Sequence, residues 1–318
     1  MVNGDIDYIT VSGRTTGSGG SHGWHINFSG ATAGAGIALI DGADADYNTF
    51  EYIDIQGPGE VTYSGDGRGL DVTPFASPTL STGNTFSHMK IWNWESGAYN
   101  VWADGSIFEY IEMYNLMAVN WQAFHPNGIY IQSAKDGIVR YSDFHKETNG
   151  TGEGIFFEQG GGASNWQIYG NIFYDLDSGN LKAIEIQSTV PNLKIFNNTF
   201  DNVVNVTYGG STYCGPGSEF RNNLLYYSSG GSCGASSNNL ALTSPNPFVN
   251  RAGHDYRIVS TTGSGYPRNI GMDLSLYYAV DMEGTKFGVD GTWDIGAFEY
   301  SSSSASIPPA APSNLQVN

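Results

Sequence analysis

The chain has 318 residues, and its 13 basic against 31 acidic residues leave a net charge of −18. A nucleic-acid-binding protein needs a basic face to neutralise phosphates, and this balance excludes one. No long apolar run or sustained helical period occurs, so the sequence predicts no membrane span. The 43 glycines and 20 tyrosines, with only 14% charged residues, favour short strands joined by tight corners.

The N-terminal region precedes any repeating pattern, and we expect residues 1–40 to form a cap on the domain. The stretch DGADADYN then brings three acids into one loop, namely Asp41, Asp44 and Asp46. Closely spaced carboxylates suit Ca²⁺, which takes roughly six to eight oxygen ligands. The alternative is a plain solvated turn, because the stretch lacks the later glutamate of an EF-hand loop.

A repeat of short strands occupies the middle of the chain. Six segments align, namely FEYIDI at 50–55, FSHMKI at 86–91, FEYIEM at 108–113, VRYSDF from Val139, IYGNIF from Ile168 and IFNNTF from Ile195. Each of the first five is followed by a second short strand, and these strands open at Gly69, Gly97, Gly128, Gly154 and Ala183. The openings are 28, 31, 26 and 29 residues apart. Strand pairs at this period, without helices between them, predict a parallel β-helix.

Period-two alternation assigns the faces of these strands. In GIFFEQ, Ile155 and Phe157 point into the coil, whereas Phe156 and Glu158 point out. Neighbouring coils lie about 4.8 Å apart, so outward residues stack into columns. The two columns are Tyr130, Phe156 and Glu185, and Gln132, Glu158 and Gln187. We therefore predict a strip of polar and aromatic side chains on one flat sheet face.

Asparagines recur at equivalent turns, at Asn171, Asn198 and Asn223. We interpret them as a structural stack that satisfies backbone groups at a corner. The chain has two cysteines, Cys214 and Cys233, in a Gly/Ser-rich stretch. We expect a disulfide between them, with two free thiols as the alternative.

The C-terminal stretch SSSSASIPPAAPSNLQVN has the composition of a linker, so we divide the chain into a domain at 1–300 and a linker at 301–318. Its end, PAAPSNLQV, resembles the first strand of a fibronectin type III domain. We therefore expect further domains beyond it in a secreted, multidomain protein.

The coil pattern resembles the right-handed parallel β-helix superfamily, the pectate-lyase-like fold of secreted bacterial carbohydrate-active proteins. The closing segments PNPFVNRAGHDYRIVSTTGSG and DMEGTKFGVDGTWDIGAFEY resemble the C-terminal ending of many such proteins. The resemblance covers residues 40–300 and implies an all-β, right-handed, single-stranded solenoid. It implies a polysaccharide partner but not one reaction, because this fold hosts lyases, hydrolases and non-catalytic adhesins.

The densest group of candidate catalytic residues comes from three consecutive coils. Glu153 and Lys182 share one repeat position, so we expect them within ion-pair reach. Lyases of the resembling fold use Lys or Arg to remove the proton at C5 of a uronate, often with Ca²⁺. That resemblance implies Lys182 as the base, with His125 or Tyr130 as the proton donor. A structural salt bridge is the equally weighted alternative.

A glycoside hydrolase would need two carboxylates flanking the bond. Glu158 and Glu185 lie on neighbouring predicted strands, two residues out of register. Their backbones would be about 8 Å apart, nearer to the inverting separation than to the retaining one. The alternative for each glutamate is a solvated outer face.

Substrate contacts are expected from aromatic, amide and basic side chains on the same coils. They are Tyr130, Gln132, Gln187, Trp102, Trp121 and Arg140. Aromatic rings suit the faces of sugars, although packing beneath a loop explains the tryptophans equally well. The sequence therefore favours a lyase acting on a uronic-acid polysaccharide across residues 125–187, with a hydrolase and a non-catalytic carbohydrate-binding module as alternatives.

Overall fold

The computed structural model describes residues 7–15, 22–29, 34–38, 45–59, 67–72, 82–116, 126–146, 153–177 and 181–302. These residues form short strands with very little helix. In chain order the strands are β1 Thr10–Ser12, β2 Trp24–Asn27, β3 Gly34–Ala38, β4 Thr49–Gln56, β5 Gly67–Val72, β6 Thr85–Trp92, β7 Ser96–Val101, β8 Ile107–Tyr114, β9 Asn127–Gln132, β10 Ile138–Arg140, β11 Asp143–His145, β12 Glu153–Phe157, β13 Gln167–Tyr169, β14 Ile172–Tyr174, β15 Lys182–Ile186, β16 Lys194–Phe196, β17 Thr199–Asp201, β18 Asn205–Tyr208, β19 Glu219–Arg221, β20 Leu224–Tyr226, β21 Ala235–Ser237, β22 Leu240–Leu242, β23 Phe248–Asn250 and β24 Asp255–Ile258. The helices are α1 Gly210–Tyr213 and a 3-10 turn at Arg251–Gly253.

The strands form a right-handed parallel β-helix, as the repeat and the resemblance predict. A seven-stranded parallel sheet runs in the order β18-β15-β12-β9-β7-β5-β3. A fifteen-stranded sheet starts with β1, β2, β4, β6 and β8, then divides into two rows beyond β8. One row contains β10, β13, β16, β19 and β21, and the other contains β11, β14, β17, β20 and β22. Beyond β8, a coil such as β9-β10-β11 therefore contributes one strand to each of three faces.

The register between coils matches the alignment made from the sequence. Phe50 pairs with Phe86, and Phe86 pairs with Phe108. Their rings stack inside the coil with centroids 5.7 and 5.2 Å apart. Beyond β8, Val139 takes the same position opposite Phe108. The apolar core is thus a column of side chains that repeats at the spacing of the strands.

A sharp corner divides the two rows of the larger sheet. The residue at the bend has positive φ in successive coils, including Tyr110 at 53°, Tyr141 at 54° and Asn197 at 45°. Such φ values are uncommon for residues other than glycine, and asparagine tolerates them best. The corner is therefore a built-in feature of every coil and sets the angle between the rows.

The predicted asparagine stack lies immediately after this bend and is confirmed. The Asn198 amide nitrogen donates to the Ile168 carbonyl at 2.9 Å, and Asn198 Oδ1 accepts from the Asn171 backbone N–H at 3.0 Å. Asn223 repeats the pattern one coil later, with its own amide nitrogen bonded to the Ile195 carbonyl. All three asparagines are fully buried. The ladder satisfies backbone groups that the bend would otherwise leave unpaired.

Two further elements fix the C-terminal coils. Cys214 and Cys233 form the expected disulfide, with Cα atoms 5.3 Å apart. The antiparallel pair β23 and β24 packs on the outside of the coil, where Phe248 and Tyr256 contact Tyr174 and Tyr226. Among the described residues, no helix is long and apolar enough to cross a membrane.

Candidate functional site

The outer side of the seven-stranded sheet carries the residues singled out from the sequence. Phe156 on β12 lies opposite Tyr130 on β9 and Glu185 on β15, as predicted. The backbone N–H of Glu158 bonds to the Ile131 carbonyl, which extends the second predicted column past the strand ends. We call this outer side, from β9 to β15, the seven-strand face.

A break in the alternation brings Lys182 and Glu185 to the same side of β15. Ala183 and Ile184 both belong to the buried core, so the two charged residues three apart point outward together. The position of Ala183 is Gly154 one coil earlier, where an added Cβ would lie 2.7 Å from the Ala183 carbonyl oxygen. A small residue is therefore required at the start of these strands. At this residue the alternation of inward and outward side chains is interrupted.

Lys182 lies between two glutamates. Its Nζ donates to Glu153 Oε1 at 3.1 Å and also bonds to Glu185 Oε2. Gln187 Nε2 donates to Glu185 Oε1 at 2.8 Å. The ion pair expected between Glu153 and Lys182 is thus present, and Glu185 joins it. We call Glu153, Lys182 and Glu185 the lysine cluster.

The cluster is more buried than the sequence suggested. The side chains of Glu153 and Glu185 are 5% and 2% exposed, and that of Lys182 is 16% exposed. The alternative of a solvated outer face for Glu185 is therefore wrong. Phe156, also directed away from the core, is fully buried too. Two outward positions of this sheet are therefore buried, although alternation indicates exposure there.

Burial and the neighbouring charges give Glu153 and Glu185 different pKa values. Burial, followed by the neighbouring Glu185, raises the pKa of Glu153 to about 8. Burial also tends to raise the pKa of Glu185, but its hydrogen bonds to Glu153, Gln187 and Lys182 lower it overall. Glu153 Oε2 is buried without a hydrogen-bond partner, which disfavours a negative charge on this carboxyl group. Burial therefore favours the protonated form of Glu153, whereas the hydrogen bonds of Glu185 favour its ionised form.

The ammonium group is held firmly in its charged form. Burial lowers the pKa of Lys182, but the hydrogen bond to Glu185 and the charges of both glutamates outweigh it and raise the pKa above its usual 10.5. The Tyr208 ring lies beneath the same ammonium, with its centroid 4.8 Å from Nζ. Lys182 can therefore accept a proton only in alkaline solution or after its carboxylates are neutralised.

The same pair of repeat positions carries a second ion pair that sequence reasoning missed. Arg68 and Asp71 on β5 stand at the positions of Lys182 and Glu185, four coils away, and bond at 2.7 Å. Both are buried. The signal was available, because a cation and an acid three residues apart recur at one point of the repeat.

The remaining predicted contact residues are divided between two faces. Tyr130 is half-buried on the seven-strand face, with its ring 5.6 Å from Phe156. Glu158 is partly exposed beside it. Trp102 is 42% exposed, and its backbone N–H bonds to the Gln132 carbonyl.

Arg140 is not brought to this face. It lies on β10 and binds Glu109 Oε2 and the Tyr169 hydroxyl at 2.7 and 2.9 Å. His125, Trp121, Asp41 and Asp44 lie outside the described residues.

His145 was missed by the sequence reasoning and lies near the lysine cluster, beside a small cavity that Glu153 also lines. It lines a cavity of about 20 Å³ together with Lys146 and Glu153. Its side chain is 2% exposed, Nε2 lies 3.3 Å from Glu112 Oε1, and Nδ1 is buried without a hydrogen bond. A single histidine in a strand gives no sequence signal for such a contact.

The acids do not favour a calcium site in the described residues. Asp46 Oδ1 accepts the Thr82 backbone N–H at 2.6 Å. Asp290, Asp294 and Glu299 bring carboxylate oxygens within 4.8 Å of one another. However, both oxygens of Asp294 and both of Glu299 accept backbone N–H groups, and Asp290 is paired with Arg268. Asp294 and Glu299 of the DGTWDIGAFEY ending therefore bind the backbone. The oxygens of the three acids do not form an open ligand set for Ca²⁺.

Comparison with solved structures identifies the architecture. The crystal structure of the pectate lyase Pel9A superposes with a TM-score of 0.51 and 16% sequence identity, covering 82% of this chain and 68% of that one. The chain has the pectate-lyase-like fold. At this identity the likeness shows the right-handed parallel β-helix and no residue roles. No protein-family model and no curated protein sequence matches the chain.

Proposed function

We propose that the chain is a polysaccharide lyase that cleaves a uronic-acid-containing polysaccharide by β-elimination on the seven-strand face. The lysine cluster carries this proposal, since it places a lysine, bonded to two glutamates, beside a partly exposed strip of polar and aromatic side chains. The fold supports a polysaccharide-acting protein at a coarser level.

In this reaction Lys182 is the base and the glutamates are positioning residues. Neutral Lys182 removes the proton from C5 of the uronate, the C4–O4 bond breaks, and a C4–C5 double bond forms. The leaving O4 takes a proton from the hydroxyl of Tyr130, a residue on the same face two strands away. Because Glu153 and Glu185 keep Lys182 protonated at rest, we expect an enzyme that is most active in alkaline solution.

A glycoside hydrolase is the second candidate, favoured by the lowered pKa of Glu185. We do not assign Glu153 as its partner, because the Glu153 side chain is 5% exposed and is bonded to Lys182. Glu158 is the partner that the register allows, two residues further along the neighbouring strand. Glu158→Gln would then abolish turnover, whereas in a lyase it changes only substrate contact.

The test is incubation with a panel of neutral and uronic-acid polysaccharides, followed by mass spectrometry of the products. Uronate oligosaccharides lighter than hydrolytic products by one water support the lyase. Products of hydrolytic mass support the hydrolase instead. Binding without cleavage across the panel would overturn both and leave a carbohydrate-binding module.

We also propose an extracellular location. The Cys214–Cys233 disulfide supports it, because such bonds persist in oxidising compartments. Fractionation of producing cells tests this proposal, and recovery of the protein in the cytosol with reduced thiols would contradict it. The fibronectin-like continuation concerns residues outside the described part and stays a prediction.

A further inference from the structure

An open pocket lies on a different face from the lysine cluster. The β23–β24 hairpin packs across the outer ends of β14 and β17 and leaves a cavity of about 470 Å³. Its lining is mainly polar and includes Asp175, Asp201, Asn250, Arg251 and His254. This volume lies in the usual range for small-molecule sites. We call it the Arg251 pocket.

The guanidinium group of Arg251 is held by the buried carboxylate of Asp201. Arg251 Nε lies 3.0 and 2.8 Å from the two carboxylate oxygens of Asp201, and the Tyr256 hydroxyl donates to Asp201 Oδ2 at 3.1 Å. The Asp201 side chain is 3% exposed, whereas that of Arg251 is 35% exposed. Arg251 Cζ also lies 5.0 Å from the ring centroids of both Tyr226 and Tyr227.

This arrangement leaves the outer end of Arg251 available. Within the described part of the chain, its hydrogen bonds are made through Nε, and its two terminal nitrogens bond to no other residue. Two parallel N–H groups at the end of a fixed guanidinium match the two oxygens of a carboxylate. Asp201 cancels the charge of Arg251, so recognition depends on geometry more than on net attraction.

The position of Asp201 in the repeat explains why the pocket is there. Asp201 stands between Tyr174 and Tyr226 in a column of outward residues on successive strands. A short acid at this point leaves space between two rings, and Arg251 reaches across that space. At the rim, His254 and Asp175 are 51% and 43% exposed, with Nε2 and Oδ2 4.0 Å apart.

We propose that the Arg251 pocket is a carbohydrate-binding site for a sugar that carries a carboxylate, a uronic-acid residue. The carboxylate binds the terminal nitrogens of Arg251, and the sugar hydroxyls bind Asp175 and Asn250. The exposed His254 ring lies against the sugar face. This site does not depend on the chemistry of the lysine cluster and stands whether the chain is a lyase, a hydrolase or a binding module.

Calorimetric titration with a uronic-acid disaccharide, its methyl ester and acetate tests the proposal. The disaccharide should bind, and the ester and acetate should each bind at least about tenfold more weakly. Arg251→Lys keeps the charge beside Asp201 but loses the paired donors, so affinity should fall by about tenfold or more. Arg257→Lys is the matched control, because Arg257 lies on the same hairpin and is paired with Asp255. Melting temperatures of both variants check the fold.

Three results would overturn the proposal: equal affinity for acid and ester, equal affinity for acetate, or no loss in Arg251→Lys. The titration is repeated on Lys182→Arg protein, in which the lysine cluster has no base. Binding that is retained there and lost on adding Arg251→Lys assigns the site to the pocket, even if the proposed reaction fails.

Discussion

Lys182 and Glu153 occupy the same position in successive coils, and Lys182 Nζ lies 3.1 Å from Glu153 Oε1. The pair exists because parallel strands in register place equivalent residues about 4.8 Å apart. Glu185 joins them because the alternation breaks at Ala183. The candidate site is therefore a product of the repeat together with one local irregularity.

Lys182→Arg tests the base directly. Arginine keeps the positive charge between the two glutamates but cannot lose its proton in the accessible pH range. We expect turnover to fall by about 10²- to 10⁴-fold, with the circular dichroism spectrum and melting temperature retained. Lys194→Arg is the matched control, since Lys194 is a buried lysine that also pairs with a glutamate, Glu219, on another sheet. Equal activity in both variants would remove Lys182 from the mechanism.

Glu185→Gln should shift the pH dependence of turnover. Glu185 is one of the groups that raise the pKa of Lys182, so its neutralisation lowers that pKa. A base must be unprotonated to act, so the rising limb of the pH–rate profile should move to lower pH. If Lys182 instead acted as a cation, the activity would decline with rising pH, and the decline would begin earlier in Glu185→Gln.

Glu153 should make stability depend on pH. Its folded-state pKa is about 8 against an ordinary 4.5, so the folded chain holds this proton over a range in which the unfolded chain has lost it. Stability linked to Glu153 is therefore present below about pH 4.5 and is lost as the pH rises towards 8. Glu153→Gln mimics the protonated acid, and its free energy of unfolding should decline less over that range.

Urea unfolding at several pH values measures this effect. Glu158→Gln is the control, because Glu158 is partly exposed and lies outside the lysine cluster. It should retain the wild-type slope. A slope in Glu153→Gln equal to that of the wild type would show that the acid is ionised at neutral pH.

The disulfide should contribute to stability. Replacing Cys214 and Cys233 together by alanine opens a loop of 19 residues in sequence separation. The free energy of unfolding should fall by about 3 kcal/mol. Urea titration of the double variant, beside the wild type with and without reductant, measures it. Identical midpoints in all three samples would show that the bond adds nothing.

Much of the fold could be predicted from the sequence because the repeat specifies it. The aligned phenylalanines, the asparagine ladder and the opening glycines mark neighbours in space at a fixed period. The pairing of Glu153 with Lys182 followed from the same period. Each of these features depends only on strand register, which period-two patterning and coil spacing determine.

What could not be predicted depends on contacts outside the repeat. Glu185 and Phe156 are buried on an outward face, where alternation alone indicates exposure. Arg251 meets Asp201 fifty residues away through a hairpin that packs on the coil. Such packing has no period, so no pattern in the sequence indicates it.

The central claim is elimination at the seven-strand face, and digestion in ¹⁸O-labelled water tests it most directly. A uronic-acid polysaccharide is incubated with the protein, and the new chain ends are examined by mass spectrometry. β-Elimination breaks the C4–O4 bond without adding water, so the account predicts unsaturated ends that carry no label and that disappear in Lys182→Arg. One labelled oxygen at each cleaved bond would establish hydrolysis and contradict it.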